Sequence, residues 1–134
     1  MNTRALQTPF LISVGLGLSL IGLGYGVRPS FYPDLYGYAL STVSETHIFR
    51  ALCTLYLALA AYWWLAAWRP AWRPGALRSV ITVMAGLSSG RLVSLLVDGR
   101  PHVLLMVFMV LEWAVLLQAL VLLKTSEQNT QDPT

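Results

Sequence analysis

A helix needs about 20 apolar residues to cross a hydrocarbon core of about 30 Å, and the stretches 9–27, 46–68, 79–97 and 102–123 all reach that length. Each is bounded by proline, glycine or a charged residue. Of the seven prolines, Pro9 falls in a first helical turn, Pro29, Pro33, Pro70, Pro74 and Pro101 fall in connections, and Pro133 is in the tail, so none interrupts a span. Lipid cannot satisfy free backbone groups, and the apolar runs show no alternation of period two, so helices are expected rather than a barrel. The expected fold is all-α, an integral membrane four-helix bundle forming a single domain over 1–134.

Composition agrees with this. The chain is 56% hydrophobic and 11% charged, against about 25% charged in an ordinary soluble domain. The net charge of +3 comes from basic residues scattered singly, which make no basic face, so nucleic acid is not an expected partner. The single cysteine, Cys53, excludes an internal disulfide and leaves no Cys/His cluster for a metal. No motif calls for an organic cofactor either. The first span lacks an A-x-A cleavage pattern and is expected to be retained as a helix. The tail 125–134, TSEQNTQDPT, has almost no apolar content and is expected to be disordered.

Orientation follows from the basic residues outside the spans. Arg4, Arg69, Arg73, Arg78 and Lys124 fall on one side, Arg28 and Arg100 on the other. The positive-inside rule then places both termini in the cytoplasm. Trp63, Trp64, Trp68 and Trp72 gather near the inner boundary and Tyr25, Tyr32, Tyr36 and Tyr38 near the outer one, as interfacial belts. The outer connection 28–45 is long and aromatic, and is expected either to cap the bundle or to lie as an interfacial half-helix. Gly15, Ser19, Gly22 and Gly26 line one face of the first span, and Gly86, Gly90 and Ser94 one face of the third. Such stripes permit close helix packing, within one bundle or between two copies.

Three charges lie inside the spans. At 1.5 Å rise per residue, Arg50 is about 6 Å from the outer end of its span, Arg91 about 9 Å and Glu112 about 15 Å. A charge in such a place costs about 2.5–3.5 kcal/mol even on a lenient scale, so it is expected to face a partner or a cavity. On the second span Thr46, His47, Arg50 and Thr54 share a face; on the third Ser88, Arg91, Ser94 and Asp98 do. These faces suggest an outward polar funnel with Glu112 at its floor. Spans three and four are joined by a short turn and must be antiparallel neighbours, so Glu112 is expected to meet Arg91, Arg50 or both.

The stretches HIFRALCTLYLALAAYW and GLSSGRLVSLLVDGRP, with the glutamate of VLEW, resemble a family of small four-span bacterial membrane proteins known as domain of unknown function 4345. The resemblance runs from about Gly22 to Leu123. It implies a bacterial inner membrane and a four-helix fold, and brings no activity with it. Three functional readings therefore stand. His47, Arg50, Arg91, Ser94, Asp98 and Glu112 can form a pocket for a lipid, a small anion or another amphipathic molecule, or a docking point for a membrane-protein partner or a second copy. Glu112 can act as acid or base in an intramembrane enzyme with Arg91 stabilising negative charge. Paired charges can also simply lock the helices together.

Overall fold

In the computed structural model, which describes residues 3–131, the chain forms α1 (Thr3–Val27), α2 (Phe31–Tyr36), α3 (Val43–Trp68), α4 (Arg73–Val97) and α5 (Val103–Gln131), with a 3-10 turn at Pro70–Trp72. No strand occurs among the described residues. The helices α1, α3, α4 and α5 are each long and apolar enough to cross a membrane. The protein is an all-α, multi-pass membrane four-helix bundle.

Local chemistry carries the helices past the apolar stretches. The α3 helix begins at Val43 because Thr42 caps it: Thr42 Oγ1 accepts the Glu45 N–H at 3.2 Å and the Glu45 carboxylate accepts the Thr42 N–H at 2.8 Å. The α4 helix begins at Arg73, with Pro74 in its first turn where no N–H is needed. Pro9, expected in a first turn, lies inside α1 because that helix already begins at Thr3. The added segment is held by Gln7 Nε2, which donates to the Leu122 carbonyl at 3.4 Å, and by Thr8 Oγ1, which donates to the Ala67 carbonyl at 3.3 Å. At the other terminus α5 stays helical to Gln131, where the polar composition of 125–134 predicts disorder. Arg78 pairs with Glu127 at 3.0 Å and ties this extension to α4. Residues 132–134 of that tail lie outside the described residues.

The α1 helix packs along α3 and α4 along α5, while lesser contacts between α1 and α5 and between α3 and α4 close the ring. The packing is uneven along its length. Leu11, Ala60, Trp63, Ala66, Ala76, Leu77, Val80 and Ala119 are fully buried, and all lie toward the end that carries the termini. Alanines at that end let the four backbones approach closely. Trp63 belongs to this core rather than to an interfacial belt, because its Nε1–H finds a partner at 2.8 Å in Ser79 Oγ. At the opposite end no residue of α3 before Cys53, of α4 after Ser88 or of α5 before Leu116 is buried. There α1 stays against α3, with Gly22 beside Tyr56 and Gly26 beside Cys53, and α4 stays tied to α5. The α4–α5 pair therefore diverges from α1–α3, and the divergence opens an internal space.

Candidate functional site: a cavity walled by an ion pair

The space between α1 and the α4–α5 pair is a cavity of about 290 Å³. From α1 it takes Ser13, Gly17, Leu18, Ile21 and Tyr25, residues at helical spacing on one face. From α4 and α5 come Met84, Leu87, Arg91, Phe108, Leu111, Glu112 and Val115; α3 contributes Tyr56. A side chain placed at Gly17 would meet nothing within 4 Å, so the absence of a Cβ there helps keep the space open. The glycines of the stripe expected on α1 all pack against α3, and Gly17 lies outside that stripe. Gly15, Gly22 and Gly26 lie against Trp64, Tyr56 and Cys53 of α3, whereas Gly17 faces the cavity.

Arg91 and Glu112 meet in the wall of this cavity. Arg91 Nε donates to both Glu112 carboxylate oxygens at 3.0 Å. The side chains are 26% and 12% exposed, so the pair is half-buried rather than sealed. Its charges compensate each other, which offsets part of the several-kcal/mol penalty an isolated ion would carry in apolar surroundings. Only the Nε donor is engaged: neither Nη group of Arg91 makes a hydrogen bond among the described residues. A second, smaller cavity of about 70 Å³ lies on the other side of Arg91, between Ser94, Leu95, Leu105 and Met109.

The α2 helix and its neighbours form an aromatic layer at the end where the bundle opens. Tyr25 lies 4.6 Å from Tyr32, 5.2 Å from Phe49 and 6.0 Å from Tyr56 between ring centroids. Tyr36 stacks on Tyr32 at 5.8 Å and meets His102 at 5.9 Å. Gly24 gives Tyr32 room to lie flat against α1, and Gly37, at a φ of 85°, turns the chain out of α2. The Arg28–Asp34 ion pair at 3.2 Å fastens the connection. Burial pushes the Tyr36 hydroxyl up to about 12, with Tyr32 adding to the rise and Arg91 opposing it. The connection is therefore both a short helix and a packed aromatic layer.

The remaining sequence candidates do not join this site. His47 and Arg50 are exposed on α3, and neither side chain makes a hydrogen bond or ion pair among the described residues. The expected funnel, with Arg50 facing Arg91, does not form; α3 begins at Val43, earlier than expected, so Arg50 lies about 10 Å from the helix end on an exposed face, its long side chain free to extend toward the interface. Ser94 donates to Asp98 at 2.7 Å on the exposed last turn of α4. Among the described residues no three His, Cys, Asp or Glu side chains gather as a metal site would require. The α1 wall of the cavity is not legible in the sequence. That span carries no charge to mark it, and Gly17 stands outside the Gly15, Ser19, Gly22 and Gly26 stripe by which the span is read.

The family described as "Domain of unknown function (DUF4345)" matches the chain over residues 6–123. The chain belongs to that family. No curated protein and no solved structure matches it. The matched residues cover most of each of the four membrane helices and include both partners of the ion pair, and every residue lining the cavity falls within the match.

Proposed function

We propose that this family member binds a small amphipathic molecule drawn from the bilayer, in the cavity between α1 and the α4–α5 pair. The observation that carries the reading is the half-buried Arg91–Glu112 pair in the wall of an otherwise largely apolar space. Ligand sites are mostly apolar with a few polar groups that fix orientation, and this cavity has that make-up. At about 290 Å³ it stands at the small end of the usual range of about 300–1,000 Å³, so it suits a small lipophile or part of one chain rather than a whole diacyl lipid. Access is through the seam between α1 and α5, which touch far less than either does its main partner.

The same proposal places the protein in a bacterial inner membrane with both termini in the cytoplasm. Arg69, Arg73 and Arg78 near the α3–α4 connection support that side as internal. The aromatic layer then faces outward, over the mouth of the bundle.

Native mass spectrometry of protein released from its own membrane tests the binding reading. The wild type should carry a non-covalent lipophilic adduct that Gly17→Leu, which fills the cavity, does not. Equal adducts on both proteins would reject the site.

A further inference from the structure

The charge balance of the cavity wall restricts what can occupy it. Arg91 is the one cation and Glu112 the one anion among the lining residues. Their pairing leaves the wall neutral, yet the guanidinium is not used up: of its five N–H donors only Nε is engaged, at 3.0 Å from both Glu112 oxygens. The other polar groups in the lining are Ser13, Tyr25, Tyr56 and Gln118, none of which brings positive charge.

An anionic head reaching the free Nη groups would add a second negative charge next to Glu112 in apolar surroundings. No further cation is there to balance it, because Arg50 lies on the exposed face of α3. Uncompensated charge in such a place is strongly disfavoured. An uncharged head with an acceptor oxygen takes the same N–H donors and leaves the wall neutral. Its apolar body can lie along Leu18, Ile21, Met84, Leu111 and Val115.

Resting on the binding reading above, we infer that the cavity selects an uncharged lipophile with a carbonyl acceptor at one end over an anion of the same chain length. Glu112 is the positioning residue for this choice: it holds Arg91 and excludes negative charge.

The test uses the full chain in phosphatidylcholine nanodiscs with two labelled probes, methyl decanoate and the permanently ionised decanesulfonate. Binding is the excess over empty discs. The wild type should bind the ester at least about tenfold more tightly than the sulfonate, a difference of about 1.4 kcal/mol. Glu112→Gln keeps the shape of the side chain but leaves Arg91 unbalanced, so it should reverse the order of the two probes. Gly17→Leu should abolish binding of both. If the wild type takes the sulfonate as tightly as the ester, and Gly17→Leu removes both, the charge rule is overturned while the cavity stands. If neither probe shows binding sensitive to Gly17→Leu, the binding reading falls with it. The wild-type comparison decides the charge rule even should Glu112→Gln fail to fold.

Discussion

Arg91 Nε lies 3.0 Å from both carboxylate oxygens of Glu112, which joins α4 to α5 at the wall of a cavity whose opposite side is α1. Removing one partner strands the other charge in a half-buried position. Arg91→Leu and Glu112→Leu should each destabilise the bundle by about 1–3 kcal/mol, below the 3–5 kcal/mol of a fully buried pair because the side chains keep some exposure. The double variant should be less damaged than the sum of the two, with a coupling of about 0.5–3 kcal/mol. A steric-trapping measurement in bicelles reads all three.

The glycines should separate into two classes. Gly22 lies against Tyr56 and Gly26 against Cys53, so Gly22→Val should overpack the α1–α3 contact and cost about 1–3 kcal/mol. Around Gly86 and Gly90 a Cβ would meet nothing within 4 Å. Gly86→Ala should be neutral or stabilise by up to about 1 kcal/mol through helix propensity. Unfolding of the two variants side by side checks the division.

Much of this architecture is legible in the sequence, and the part that is not has a physical reason. Span length and proline placement are enough to locate α1, α3, α4 and α5, because a bilayer fixes both the length and the backbone pairing of what crosses it. The short α4–α5 connection likewise foreshadows the meeting of Arg91 and Glu112. Helix rotation is harder to read. In lipid both faces of a span are apolar, so Arg50 could be given a facing partner that α3 in fact turns away from. The fully buried Trp63 misleads for a similar reason: tryptophan near a span end suits an interface, unless a partner such as Ser79 satisfies its N–H. The helical run from Thr125 to Gln131 carries an ion pair from Glu127 to Arg78, a partner 49 residues distant that local composition does not reveal.

Trp63 and Ser79 offer a separate test of the tightly packed end. Trp63 is fully buried and donates to Ser79 Oγ at 2.8 Å. Ser79→Ala should leave the indole N–H unpaired at a cost of about 1–3 kcal/mol. Trp63→Ala should cost about 3–5 kcal/mol. Thermal unfolding followed by near-ultraviolet circular dichroism reads both.

Tyr36 gives the account a dependence on pH. Burial pushes its hydroxyl up to about 12 from its ordinary value of 10.0, so the folded state favours the neutral phenol. The resulting stabilisation is complete below the unfolded pKa and is lost as pH rises from about 10 toward about 12. Tyr36→Phe should remove that alkaline loss. The hydroxyl is also buried without a hydrogen-bond partner among the described residues, so the substitution should not destabilise the protein at neutral pH. Unfolding at successive pH values checks both statements.

Photolabelling tests the central claim most directly. A ten-carbon methyl ester carrying an aliphatic diazirine is added to the protein in a bilayer, irradiated, and the modified residues are mapped by mass spectrometry. Labels should fall on Ile21, Phe108, Leu111 and Val115, and all should be lost in Gly17→Leu. Labels spread over exposed residues such as Leu96, Val97 and Leu117, and unchanged by Gly17→Leu, would contradict that claim.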